Sequence, residues 1–390
     1  MDDVFSRLAF LGEEMGLERV EETRPMAGMC SAQGSPCDDP AEGIPVSMVC
    51  LPGGKQMPVL KSMVTSACER NCNYCGMRAG RDSRRVTFKP DEMAKAVVHL
   101  TQKGIIQGAF ISSGIAGGGA RTQDKLIDTA EILRKKLGYQ GYLHLKIMPG
   151  AEFDQVYRAM QLADRVSVNL EGPNTKRLQA LAPQKVFLEE LVRPLKWVEQ
   201  IRTTRPGWQG WKGRWPSTTT QFVVGAVGES DLELLSTVES LNRQVRLARG
   251  YFSAFRPTRG TPFEELPSCN PWREHRLYQA SFLLRDYGFG VEEMPFQGGG
   301  DLPLEEDPKL AWARQNLKGA PIEVNRVDRE QLLRIPGIGP KGAAAILQAR
   351  RGGRLHSLED LKRLGIAAGR AAPFILLDGA RPAFQLGLFA

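Results

Sequence analysis

Six short β-rich, apolar runs punctuate the chain: PVLKSMVT (58–65), IQGAFIS (106–112), GYLHLKIM (141–148), RVSVNL (165–170), TTQFVVGA (218–225) and RGYFSAF (249–255). Segments of helical periodicity lie between most of them, at 90–103, 122–137, 153–163, 186–202 and 229–244. Strands that alternate with helices form right-handed βαβ units on a parallel sheet, so the chain reads as α/β. Six units make either an incomplete barrel or a doubly wound sheet, and periodicity does not choose between them. A further helix is expected near 271–287. QGGGDLPLEEDP (297–308) reads as a linker, rich in Gly, Pro and acids. From about 321 the texture changes to short helices with glycine-containing turns. The expected organisation is an irregular N-terminal extension (1–55) packed on the main domain, an α/β domain (56–296), a linker (297–320) and a small all-α domain (321–390).

No run of eighteen apolar residues occurs, so no membrane span is expected. The opening MDDVFSRLAF carries acids where a signal peptide carries bases, which points to a cytoplasmic protein. The formal net charge is +8. It is concentrated at the end: residues 321–390 hold eleven Lys and Arg against six Asp and Glu. A basic terminal domain suits a polyanionic partner.

Three of the seven cysteines, Cys68, Cys72 and Cys75, fall within eight residues of TSACERNCNYCGMRAG (65–80). They follow the first predicted strand directly, on the edge where parallel α/β sheets bind ligands. Zinc wants a fourth ligand, and no Cys or His follows closely. A C-x-x-C redox pair explains two cysteines and strands one. A [4Fe–4S] cluster held by three thiolates leaves one iron open to an outside ligand, which the spacing C-x3-C-x2-C accommodates.

This stretch resembles the signature of the radical S-adenosylmethionine (SAM) superfamily, C-x3-C-x-aromatic-C, with Tyr74 as the aromatic. The resemblance implies a partial (β/α)6 TIM-like barrel, a [4Fe–4S] cluster on Cys68, Cys72 and Cys75, and SAM on the open iron. It further implies reductive cleavage of SAM to a 5′-deoxyadenosyl radical, with electrons from a flavodoxin- or ferredoxin-type donor. Ser112, Ser113 and Gly114 occupy the place of the superfamily's Gly-Gly-Glu motif, without its glutamate. Asn169 and Glu171, in SVNLEGP, stand where ribose or carboxylate contacts are made, with Ser167 on the same face of the strand. Gly225, Gly228 and Glu229 match the region near adenine. Lys146 is read as facing the pocket or a carboxylate, and His144 as either a packed sheet residue or a catalytic one. Cys30, Cys37, Cys50 and Cys269 match no motif.

Near the C-terminus, EVNRVDREQLLRIPGIGPKGAAAILQARR reads as helix, glycine hairpin, helix. Gly337, Ile338 and Gly339 turn the backbone so that its N–H groups and the next helix N-terminus form a phosphate site, with Lys341 as the adjoining cation. This resembles the helix-hairpin-helix module, which grips the DNA backbone without reading sequence. A degenerate second copy follows, with Gly365, Gly369 and Arg370. RTTRPGWQGWKGRWPS sets Trp208, Trp211 and Trp215 among cations, a composition suited to stacking on bases or to packing on the barrel.

The pairing of these parts, from about residue 58 to 376, resembles the DNA modification and repair radical SAM family with a C-terminal helix-hairpin-helix. The resemblance implies a DNA substrate and a partner like uracil-DNA glycosylases. Radical modification of RNA and a DNA-binding iron–sulfur redox sensor stay open as alternatives.

Overall fold

The structure, a computed structural model, describes residues 2–15, 43–50 and 56–383. Cys30 and Cys37 lie outside the described residues. By contacts the chain forms two compact units, Met1–Glu229 with Ser240–Asn270, and Ser230–Glu239 with Pro271–Ala390.

The first unit is built on a seven-stranded sheet whose order follows the sequence. Its elements are α1 (Asp2–Met15), β1 (Val46–Cys50), β2 (Gln56–Met63), α2 (Pro90–Gln102), β3 (Gly108–Ser112), α3 (Gly119–Glu131), β4 (Tyr142–Lys146), α4 (Phe153–Leu162), β5 (Arg165–Ser167), α5 (Thr175–Leu181), α6 (Arg193–Thr204), β6 (Ser217–Val224), the end of α7 (Asp231–Val245), whose residues up to Glu239 belong to the second unit, and β7 (Arg249–Ala254). β2 to β7 are parallel, each paired with the next. Sequential order is that of a barrel wall; a doubly wound sheet would reverse direction partway. This decides what periodicity left open. Register gives the sheet two unlike faces. Leu60, Ala109, Ile111, Leu143, Leu145, Val166 and Phe252 are at most 1% exposed and share the face covered by helices. The other face is mixed: Lys61, Phe110, Lys146, Arg165 and Arg249 on it are half-buried, while Val59, His144, Ser167 and Thr219 are buried.

The N-terminal residues are not irregular where they are described. α1 is a helix with Leu8 and Leu11 fully buried, and β1 adds an antiparallel strand beside β2. No helix among the described residues is long and apolar enough to cross a membrane.

The second unit contains α8 (Pro271–Asp286), α9 (Pro308–Asn316), β8 (Ile322–Glu323), α10 (Arg329–Arg334), α11 (Pro340–Ala349), α12 (Leu358–Arg363), α13 (Ala368–Ala371) and β9 (Ile375–Leu376). It is not wholly helical, because β8 and β9 pair in parallel. Two helix–turn–helix pairs pack around Leu332, Ile338, Ile346, Leu361 and Ile366. Gly337, at φ 84°, sits so close to the second pair that a Cβ would lie 2.6 Å from the Ala367 carbonyl oxygen.

Lys309 is buried under the first turn and donates to the Ile338 carbonyl at 2.6 Å. Burial, aided by Arg370 and Arg334 and opposed by Asp307, pulls its ammonium down to about 7. The folded state therefore holds fewer protons than the unfolded chain between that value and the ordinary lysine range. Stability from this site is complete above the ordinary range and is lost as pH falls toward 7. Comparing thermal midpoints of the wild type and Lys309→Met at pH 7 to 10 should show the wild type gaining on the variant as pH rises. A constant difference would show that Lys309 does not change protonation on folding.

Candidate functional site

The cysteine loop leaves the C-terminal end of β2. It has little regular structure, so its main-chain groups need other partners. Three arginines of the RAGRDSRR stretch supply many of them. Arg78 donates to the carbonyls of Asn71 and Cys72, Arg81 to Gly76, and Arg85 to Ser66, Met77, Arg78 and Arg81. Arg70 pairs with Glu190 at 2.6 Å and ties the loop to the segment before α6. Glu69 reaches across to the glycine turn after β3, where the N–H groups of Gly117 and Gly118 donate to its carboxylate at 3.0 and 3.2 Å. The triple glycine is thus a cradle for an anion that the chain itself provides.

Cys68, Cys72 and Cys75 are free thiols. The Ile115 N–H points at Cys68 Sγ (3.5 Å) and the Met77 N–H at Cys75 Sγ (3.4 Å). Cys72 is 7% exposed. Burial pushes its thiol up, and Lys185 partly offsets this. Among the described residues no three His, Cys, Asp or Glu side chains are drawn together to hold a single metal ion. What the loop does offer fits an iron–sulfur cluster: three thiols, no disulfide, and N–H donors on two sulfurs, the outer-shell bonds that tune such clusters.

Beside Cys72 lies a buried ion pair, Lys185 Nζ to Glu171 Oε1 at 2.9 Å. Burial works against the Glu171 carboxylate, but Lys185, Lys146 and a bond from Tyr74 outweigh it and hold the carboxyl below its ordinary range. Burial likewise opposes the Lys185 ammonium, and the Cys72 and Glu171 charges more than restore it. Lys185 stands in the unpatterned segment APQKVF, and nothing in the sequence singled it out.

The other predicted residues divide by role. Ser112 ends β3 and Ser113 follows it, both 6% exposed; Ser113 Oγ is buried with no hydrogen-bond partner, the kind of orphan a ligand satisfies. Gly114 donates to Thr65 O at 2.7 Å, and a Cβ there would fall inside the Ala67 carbonyl oxygen. Gly114→Ala should therefore dislodge the cysteine loop; iron bound per chain after reconstitution is expected to drop several-fold, and unchanged iron would show that the loop does not depend on this contact. Asn169 donates to Gln221 at 2.9 Å, Ser167 bonds His144 at 2.9 Å, and Glu171 has φ 63°, a left-handed turn that aims it at Lys185. Tyr74 bonds Glu171. Glu229 closes its own loop by accepting from the Gly225 and Val227 N–H groups. Gly225, at φ 89°, packs against Cys269.

The tryptophan loop precedes β6 and so lies at the N-terminal edge of the sheet, opposite the cysteines. Trp211 is covered by the Arg134 guanidinium at 3.9 Å and Trp215 donates to Arg205 O; Trp208 is 74% exposed. Two of the three serve packing, and the loop does not join the site. In the second unit, Lys341 is exposed in the first turn of α11, Ile338 is buried, and Arg370 is paired with Asp307.

No family profile matches the chain, and no curated protein does. Solved structures do resemble it in part. Methylornithine synthase (PylB) is 14% identical over 58% of this chain and 61% of that one, at a TM-score of 0.46. HydG, a maturase of the [FeFe]-hydrogenase, is 13% identical over 58% of this chain and 49% of its own, at 0.45. A radical SAM methyltransferase from Sphaerobacter thermophilus is 15% identical over 63% and 74%, at 0.44. The matches thus cover 61% and 49% of the first two proteins' own length. Likeness this distant carries nothing about chemistry, which rests on the residues above.

Proposed function

We propose that the chain is a radical SAM enzyme acting on a base in DNA. The observation that carries the reading is the C-x3-C-x2-C loop at the C-terminal edge of β2, with three free thiols, N–H donors on two sulfurs and the Lys185–Glu171 pair beside the third. Cys68, Cys72 and Cys75 hold a [4Fe–4S] cluster and leave one iron for SAM. When bound, the two supply a 5′-deoxyadenosyl radical that takes a hydrogen atom from the substrate. The chain's part is to hold, orient and shield them. Arginines lock the loop, Lys185 offsets thiolate charge in a buried setting, and Ser112, Ser113 and Asn169 offer polar groups at the same edge.

The DNA half is supported by the glycine turn and by Lys341, exposed at the start of a ten-residue helix. Arg370 is engaged by Asp307, so the first turn makes the phosphate contact and the second supports it. Lys341→Gln is expected to weaken DNA binding equally across sequences and to lower the salt slope of log K by about one. A one-electron donor and a uracil-DNA-glycosylase-like partner complete the proposal.

The test is 5′-deoxyadenosine formation by reconstituted, anaerobically reduced protein given SAM alone or with duplex DNA, single-stranded DNA or tRNA. Stimulation by a DNA form is the expected result. Stimulation by tRNA alone would move the substrate to RNA. No cleavage despite an intact cluster would sink the radical reading.

A further inference from the structure

Lys309 lies in the first turn of α9, whose N-cap is Asp307. Its ammonium is buried and donates to the Ile338 carbonyl at 2.6 Å, in the glycine turn between α10 and α11. A trans peptide sets its C=O and N–H on opposite sides. A cation that holds the Ile338 carbonyl inward therefore aims the Gly339 N–H outward. That N–H donates to no group among the described residues, and Gly339 is half-exposed at the N-cap of α11. Charge on the carbonyl side also polarises the peptide and strengthens its N–H as a donor.

The pocket around this ammonium is one negative charge short. Just after α8, Tyr287 turns its ring face to Nζ at 4.6 Å. α10 brings Arg334 and α13 brings Arg370, both cations. Asp307 is the carboxylate that acts on Lys309, and both its oxygens are in use. Oδ1 accepts from the Leu310 N–H at 2.9 Å, and Oδ2 accepts from Arg370. Lys309 makes no ion pair among the described residues. A carbonyl and a ring face accommodate an ammonium without neutralising it. Burial, opposed by Asp307 and aided by Arg370 and Arg334, accordingly draws it down to about 7.

We propose that Lys309 is the inner counter-cation of the phosphate turn: it sets the Gly339 N–H toward a DNA phosphate and takes up a proton when that phosphate binds. The proposal rests on the DNA reading above and deepens it. The missing negative charge is the ligand's own. A phosphate on the outer side of the turn favours the ammonium, so above about pH 7 the complex holds more protons than the free protein. DNA that makes Lys309 hold its proton about tenfold more tightly is itself bound about tenfold more tightly by the protonated form. Binding is therefore at full strength in acid and weakens as pH rises through 7 toward the ordinary lysine range. Loss of fold does not explain such a fall, because the Lys309 site gains stability over the same range.

The test uses the full chain and a fluorescein-labelled, mixed-sequence duplex, followed by anisotropy from about pH 6 to about pH 9.5 at fixed salt. The wild type is expected to lose about tenfold in affinity over that range. Lys309→Gln keeps a donor for the Ile338 carbonyl without the charge, and should bind at the weaker level throughout. Lys309→Arg keeps the charge and should bind at the stronger level throughout. A wild type that does not weaken would overturn the proposal, as would a Gln variant that weakens in parallel with it. If the wild type binds no duplex at any pH, the DNA reading falls, and the turn is probed with inorganic phosphate. The 13Cε resonance of Lys309 in lysine-labelled protein, assigned by its absence from the Gln variant, gives the titration midpoint in phosphate and in chloride at equal ionic strength. A higher midpoint in phosphate upholds the proton-linked turn, and equal midpoints overturn it.

Discussion

Cys72→Ala is expected to give a folded protein that binds DNA like the wild type, carries little iron and cleaves no SAM. The fold survives because the loop is held through its main chain: the Cys72 carbonyl accepts from Arg78 and the Cys75 N–H donates back to Cys72 O, whatever the side chain. Alanine also removes a thiol that burial already disfavours as a charged ligand when no metal is present. Two cysteines remain, and a cluster that needs three protein thiolates is lost. Iron and sulfide per chain, 5′-deoxyadenosine formation and DNA affinity are the three readouts. The first two should collapse, while the dissociation constant for duplex DNA stays within about twofold, as expected for sites that share no partner. A variant that kept iron and activity would remove Cys72 from the ligand set. One that lost DNA binding would show that the two functions are not separable by residue. The complementary variant is Lys341→Gln. Gly337→Val, the obvious hairpin lesion, would push a side chain into the Ala367 carbonyl at a left-handed φ and unseat the turn, so it cannot separate contact from folding.

The strands and helices of the α/β unit were legible because their signal is local. RVSVNL and TTQFVVGA carry their own periodicity, and so do the helices between them. The order of strands was not legible, because pairing is non-local and six βαβ units fit two architectures equally well. β1 and α1 were missed for a different reason. Both lie in a stretch interrupted by Gly, Pro and Cys, where composition reads as irregular even though Leu8 and Leu11 end fully buried. At the site, the three cysteines were visible because their C-x3-C-x2-C spacing is a pattern within eight residues. Their supports were not. RAGRDSRR reads as a charge run, yet its arginines are consumed by loop carbonyls. Glu69 carries no motif of its own in the sequence, yet its carboxylate occupies the glycine cradle. The tryptophan loop left two readings open, stacking on bases or packing, and strand direction decides for packing by placing the loop at the opposite edge of the sheet, where Trp211 and Trp215 are engaged by Arg134 and Arg205.

Lys185→Met should cost about 3–5 kcal/mol of stability, because it leaves the Glu171 carboxylate buried without its counter-charge. The effect reads as a lowered urea midpoint, and a loss below about 1 kcal/mol would mean that the pair is solvated as surface pairs are. The double variant Glu171→Gln with Lys185→Met tells structure from function. It removes both charges, and the glutamine amide can still meet the Tyr74 hydroxyl, so most of the lost stability should return. If Lys185 serves only to neutralise Glu171, cluster assembly and SAM cleavage should return with the fold. If Lys185 also offsets thiolate charge at Cys72, as its position among Cys72, Cys75 and Glu171 indicates, the double variant will fold well and still assemble cluster poorly. That second outcome is the expected one. Burial raises the cost of a Cys72 thiolate, and among the groups acting on that thiol Lys185 is the cation that lowers it.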